Sequence, residues 1–252
     1  MTTASKSIGL ENISESLDMP KGKAYVFAIG IDRYDHVNPL HNAVRDVKQV
    51  VDLLTSRYQF DREHVTMLID GNAKRSDIHR EFKQLAKTVS PQDVLLVYYS
   101  GHGIEDNDDG YWIPVDGLPG DTATYVSNIE IINFLKKIDS FHTVVISDSC
   151  FSGTLFAGTE RRVLARQRLE KTPSRWGMTS GRKEPVLDGV PGENSPFADS
   201  LLLHLRNNPD PVLPITWLFD TIMEDMGSNY KQTPRCEPLG DVGHRGGEFM
   251  FH

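Results

Sequence analysis

The chain has 252 residues, and its hydrophobic (38%) and charged (25%) fractions are those of an ordinary globular protein with room for one large domain. A formal net charge of -8 excludes general nucleic-acid binding, which needs a basic face, and suits attraction of basic peptides. No apolar run approaches a membrane span, the N-terminus lacks the apolar stretch of a signal peptide, and two cysteines cannot build a disulfide framework, so the expected location is the cytoplasm.

Residues 1–20 read as a polar, flexible leader and residues 21–252 as one domain. "KAYVFAIGI" is a short apolar run that ends in turn and polar residues, the pattern of a buried strand. Leu40, Ala43, Val44, Val47, Val50, Val51 and Leu54 recur at helical spacing and predict a helix over 40–54. "HVTMLID" reads as a second strand closed by "GN", and "RSDIHREFKQLAKTV" as a helix with Ser76 at its N-cap. "DVLLVYYS" is almost wholly apolar, as a strand buried on both faces would be. A helix over 127–138 and a fourth strand, "HTVVISD", follow. Strands alternating with helices imply right-handed crossovers and a covered parallel sheet, giving a three-layer α/β/α sandwich with about six strands, mainly parallel.

Beyond Leu155 the alternation breaks. "GTERRVLARQRLEKTPSRWG" is basic and holds no clear strand, and it reads as a short helix around Leu164 or a mobile loop. "MTSGR" resumes a strand. Helices around "SPFADSLLLHLRNN" and "ITWLFDTIMEDMGSNY" precede two short strand pieces, "QTPRCEPLG" and "GGEFMFH".

In open parallel sheets ligands bind beyond the carboxyl ends of the strands. Two loops leave such ends: "SGHG" after the third strand and "SDSCFSG" after the fourth. His102, between Gly101 and Gly103, is suited to act as a general base near neutral pH, or is a turn histidine with no task. Cys150 sits among Ser147, Asp148, Ser149, Ser152 and Gly153, a polar turn-like setting. It is either a thiolate nucleophile paired with a histidine or a small apolar residue at a strand end. The histidines and cysteines lack the spacing of a zinc site, and Cys236 in "TPRCEPL" reads as structural. A cysteine phosphatase needs a phosphate-binding arginine six positions after its cysteine, and Phe156 stands there.

"YVFAIGIDRYDHVNPLHNAVRDVKQVVDLL", "DVLLVYYSGHG", "GYWIPVDG" and "TVVISDSCFSG", in that order, resemble the caspase-like cysteine peptidases, and the branch of metacaspases and their prokaryotic relatives most of all. The roughly 50-residue interval from His102 to Cys150 also matches the caspase arrangement. The resemblance implies a caspase-like sheet, Cys150 as nucleophile and His102 as general base and acid. It further implies an acyl-enzyme whose oxyanion is held by the backbone N–H groups of Gly103 and Cys150. True caspases accept aspartate at P1, the residue before the cut, through an arginine that would fall near Leu40 or His41, and neither position has one. Metacaspase-like members use acids instead. "LHNAVRD" places Asp46, and "SDSC" places Asp148, at the matching positions. Two such carboxylates favour arginine, with lysine second.

The basic segment at about 155–180 occupies the place of the inter-subunit linker. Arg161, Arg162, Arg166, Arg168, Lys171 and Arg175 are its candidate cleavage points, which implies a zymogen cut by itself or by an upstream protease or regulator. A solvated basic helix is the alternative. No cofactor is required. Metacaspases are often calcium-dependent, and "EDNDDG" (Glu105 to Gly110) is an acid cluster, but it lacks EF-hand spacing and reads first as a solvated loop, with calcium the alternative. Expected partners are protein or peptide substrates with a basic P1, with neither nucleic acid nor membrane, and the resemblance implies a monomer. The competing reading is a caspase-like pseudoenzyme or adaptor that binds partners without turnover. Prokaryotic relatives serve stress, cell-death and defence systems, and no residue here selects among them.

Overall fold

The computed structural model describes residues 22–107, 109–149, 169–181, 188–230 and 232–252. At its centre six strands, β1 (Ala24–Gly30), β2 (Val65–Ile69), β3 (Val94–Ser100), β7 (His142–Asp148), β8 (Ser174–Thr179) and β10 (Arg235–Pro238), lie in the order β10-β8-β7-β3-β1-β2. Every neighbouring pair is parallel except β8 with β10. The expected mainly parallel six-stranded sheet is therefore present.

Both faces are covered, which explains why the central strands read as continuous apolar runs. Along β3, Leu96 and Tyr98 face one core while Leu95, Val97 and Tyr99 face the other. Helices α1 (Ala43–Arg57), α4 (Pro196–Asn207) and α5 (Ile215–Asn229) close the first core. Helices α2 (Arg75–Thr88) and α3 (Asn128–Leu135) close the second. The spacing of Val47, Val50, Val51 and Leu54 puts all four on the buried stripe of α1. Each contributes about 1.5–3 kcal/mol of burial, which holds α1 firmly against the sheet.

Two smaller sheets were not read from the sequence, although the strand piece in "GGEFMFH" belongs to one of them. β4 (Gly103–Asp106), β5 (Asp109–Trp112) and β6 (Val126–Ser127) form one, and β9 (Leu213–Pro214) pairs with β11 (Met250–Phe251) in the other. Within the "EDNDDG" stretch Glu105 and Asp106 pair with Gly110 and Asp109 across the β4–β5 hairpin, Asn107 is in the left-handed region at φ 50°, and Asp108 lies outside the described residues. Of the described acids in this stretch, Asp106 is exposed, whereas Glu105 and Asp109 are half-buried. Among the described residues they do not gather into a cluster of three ligands. The group that does is the surface trio Asp61, Glu63 and His64, which precedes β2.

Helix α2 starts at Arg75, and Ser76 is not its cap. The first-turn N–H of Arg75 donates instead to Asp116 Oδ1 at 3.0 Å, so a distant carboxylate satisfies a donor that helix geometry leaves open. Ser127 caps α3 in a capping box with Glu130, one residue outside the helix.

The basic segment ends earlier than expected, because β8 begins at Ser174. Arg175 is therefore corrected as a cleavage point: it is 4% exposed, between β7 and β10. Its guanidinium donates to the carbonyls of Ser140 (2.7 Å), Phe141 (3.2 Å) and Ser174 (2.8 Å). A protease would have to pull an interior strand out of the sheet to reach it. Lys171 is exposed, whereas Arg161, Arg162, Arg166 and Arg168 lie outside the described residues. Cys236 is buried in β10 opposite Met178, as a packing residue.

Candidate active site

The parallel register of β3 and β7 sets the site. Ser100 pairs with Asp148, so the loops carrying His102 and Cys150 leave neighbouring strands at the same level, about 4.8 Å apart. Gly101 N–H donates to Asp148 O at 3.3 Å, which ties the loops together one residue further on. Cys150 itself lies outside the described residues; the strand that leads to it is described through Ser149.

His102 is held from several sides. Its backbone N–H donates to Tyr34 Oη at 2.7 Å, and its carbonyl accepts from Tyr99 Oη at 2.6 Å. Tyr34 also packs against the imidazole, with ring centroids 4.9 Å apart. The ring Nε2 lies 2.8 Å from the Asn38 carbonyl. A carbonyl only accepts, so Nε2 carries the proton and Nδ1 of the neutral ring keeps the lone pair. Gly101 is required by crowding: a Cβ there would lie 2.7 Å from Tyr34 Oη and 2.8 Å from Tyr99 Oη. Gly103 follows as the first residue of β4, buried and paired with Trp112.

A rigid floor supports both loops. Tyr99 stacks on Trp112, with centroids 4.4 Å apart and planes within 6°. Trp112 Nε1–H donates to Ser147 Oγ at 3.0 Å, and Ser147 and Ser149 share a hydroxyl contact of 2.9 Å. The backbone that enters Cys150 is thus pinned by a satisfied buried network.

Asp46 and Asp148, from α1 and β7, meet at Ser195. The Ser195 N–H is shared between both Asp46 oxygens at 3.3 Å, and its hydroxyl donates to Asp148 Oδ2 at 2.5 Å. The same hydroxyl accepts from Ala198 N–H at 3.0 Å and so caps α4. Asp46 is fully buried, Asp148 is 4% exposed, and Asp148 Oδ1 is buried without a partner. Among the described residues, no lysine, arginine or histidine forms an ion pair with either. Burial pushes Asp46 up to about 9, and the neighbouring Asp148 charge adds to the rise. Burial likewise raises Asp148, to about 6, against the opposing hydroxyls of Ser195 and Ser180. A pair of desolvated carboxylates without a cation costs several kcal/mol, and a cation from outside the chain would remove that cost.

His102, Asp46 and Asp148 thus come to one end of the sheet. Asn38, Tyr34 and Ser195 were missed. Asn38 acts through a backbone carbonyl, which no side-chain motif reveals. Ser195 had a legible signal as the cap before Pro196, but one that spoke only of a helix start.

A family model described as caspase domain matches residues 22–239. Metacaspase-4 and Metacaspase-6 of Arabidopsis thaliana are 28% and 26% identical to this chain, over 83% and 88% of it and 59% and 69% of their own lengths. Metacaspase-1 of Kluyveromyces lactis is 28% identical over 53% of this chain and 34% of its own length. The chain therefore spans only part of the length of these relatives. A crystal structure of a Geobacter sulfurreducens protein superposes with a TM-score of 0.66 at 19% identity, covering 90% of this chain and 99% of that one. Caspase-1 from Spodoptera frugiperda superposes with a TM-score of 0.65 at 14% identity, covering 87% of each, so both share the fold. With the family match running over most of its length, the chain belongs to the caspase-domain family of cysteine-type peptidases.

Proposed function

We propose that this chain is a cysteine endopeptidase that cleaves after arginine, with lysine second. The observation that carries the specificity is the buried pair Asp46 and Asp148, which has no cation of its own among the described residues. Arginine fits because its planar guanidinium offers five donors to two carboxylates.

The chemistry follows from the loops. With Nε2–H committed to Asn38 O, Nδ1 of His102 takes the Cys150 thiol proton. The thiolate attacks the carbonyl carbon of the P1 residue. The tetrahedral oxyanion is held by the Gly103 and Cys150 N–H groups. As the C–N bond breaks, the proton on Nδ1 passes to the leaving amine and a thioester remains. His102 then deprotonates a water that attacks the thioester, which releases the acid and restores the thiol. The Asn38 carbonyl orients the imidazole, the task that a third side chain performs in triads. Cleavage of the basic segment, at Arg161, Arg162, Arg166, Arg168 or Lys171, would convert a zymogen to the active form.

A peptidyl-arginyl chloromethyl ketone tests the reading. Loss of chloride to the thiolate should leave one thioether adduct, mapped to Cys150 by mass spectrometry, and Asp148→Asn should slow its formation. Equal labelling by the aspartyl analogue, or labelling on Cys236 alone, would contradict it.

A further inference from the structure

β3 carries two consecutive tyrosines on opposite faces. Tyr99 belongs to the second core, and its hydroxyl donates to the His102 carbonyl at 2.6 Å. Tyr98 belongs to the first core and is fully buried, yet its hydroxyl has no hydrogen-bond partner among the described residues. A buried phenol ordinarily finds an acceptor, because leaving the bond unmade carries the full cost of desolvating the O–H. An uncommitted donor therefore lies inside the protein.

The strand register shows what lies beside it. Tyr98 pairs with Ile146 of β7, and both face the first core. Asp148 stands two residues beyond Ile146, and so on the same face. A diagonal neighbour of this kind, about 7–8 Å away, is within reach of an aromatic side chain. Asp46 arrives from α1, whose Val47 and Val50 pack in the core that holds Tyr98, and Ser195 bridges it to Asp148. Burial holds the Tyr98 phenol well above the usual range, and the charges of Asp148 and then Asp46 add to the rise. The phenol therefore keeps its proton through the neutral range and faces the two acids as a donor.

The acids need a further donor when arginine binds. A guanidinium requires both to be ionised, which places two negative charges in a dry site. Ser195 already donates to the pair through its N–H and its hydroxyl, and the Ser180 hydroxyl acts on Asp148. The Tyr98 O–H has no such commitment.

We infer that Tyr98 is a positioning residue of the arginine pocket: its hydroxyl donates to the Asp46–Asp148 pair when both acids are ionised, and so allows two buried carboxylates to hold the charge that a P1 arginine requires. This rests on the arginine-pocket reading above and adds a neutral donor behind the acids, where the resemblance supplies the acids alone.

Tyr98→Phe deletes one oxygen and no existing hydrogen bond. The readout is the pH dependence of kcat/KM on two peptides that differ only in P1 arginine or citrulline, the neutral isostere. A hydrogen bond to a charged group is worth roughly tenfold or more. The arginine-to-citrulline ratio should therefore fall about tenfold near neutral pH, and the pH at which arginine cleavage rises should move up by about one unit. The sign follows from the donor: without it the ionised pair is less stable and keeps its proton to higher pH. Asp188, in the segment before α4, also acts on both acids and is unchanged in the variant. The ratio should recover at high pH, where the pair ionises unaided, and Tm should not fall. A ratio lowered equally at every pH would show a packing role and overturn the inference, as would an unmoved pH profile. If Tyr98→Phe does not fold, 3-fluorotyrosine at position 98, a stronger donor of nearly the same shape, should move the rise to lower pH, and an unmoved rise would overturn the role. A wild-type protein that does not prefer arginine to citrulline would overturn the pocket itself. A preference and pH profile retained by Tyr98→Phe overturn only the role of Tyr98.

Discussion

Binding of a P1 arginine should release a proton. In the empty pocket, burial pushes Asp46 up to about 9 and Asp148 up to about 6. Through the neutral range the pair therefore retains a proton, which belongs to both carboxylates as a coupled unit. A guanidinium gains full charge-assisted bonds only from ionised partners, so it displaces that proton. Each proton displaced makes affinity rise about tenfold per pH unit. The dissociation constant of a P1-arginine peptide should thus fall about tenfold for each unit between roughly pH 6 and 8, and level off past about 9. Calorimetry on Cys150→Ala protein, in two buffers of different ionisation enthalpy, counts the proton directly, and about one is expected. An affinity independent of pH through this range, with no proton exchanged, would refute the claim that these buried acids hold the arginine.

The same acids make a stability prediction of definite sign. A carboxyl whose folded value lies above its unfolded one binds more protons when folded, so stability falls as pH rises from about 4 toward the folded value. Asp46→Asn should therefore gain in Tm over the parent as pH increases from about 5 to 8, and a gap that narrows with pH would contradict this. Gly101→Ala should force apart Tyr34 Oη and Tyr99 Oη, the hydroxyls that fix the His102 backbone. Steady-state kinetics should show kcat down by at least about tenfold with KM nearly unchanged, and thermal unfolding a cost of about 1–3 kcal/mol; a parental kcat would refute the positioning role. N-terminal sequencing after activation should find cuts after Arg161, Arg162, Arg166, Arg168 or Lys171 and none after the buried Arg175. An active form cut at Arg175 would contradict the placement of β8.

The parts of the fold legible in the sequence are those with a local cause. "DVLLVYYS" and "HTVVISD" declare strands buried on both faces, and the apolar spacing from Ala43 to Leu54 declares α1. The two loops at strand ends follow from the parallel order alone. What stayed hidden depends on partners far apart in the chain. Ser76 looked like a cap because caps are local, yet Asp116 does that work for Arg75 from across the molecule. Arg175 looked like one more charge of a basic run, because nothing nearby in sequence says that Ser140 and Phe141 carbonyls await it. Asp188 and Ser195 reach Asn42 and Asp46 across almost 150 residues, and only folding brings them together.

Hydrolysis of fluorogenic peptides differing only at P1, by wild-type and Cys150→Ala protein with and without calcium, tests the central claim most directly. Arginine should be cleaved fastest and lysine second, with aspartate at the background set by Cys150→Ala. Faster cleavage after aspartate, or arginine cleavage that persists in Cys150→Ala, would contradict it.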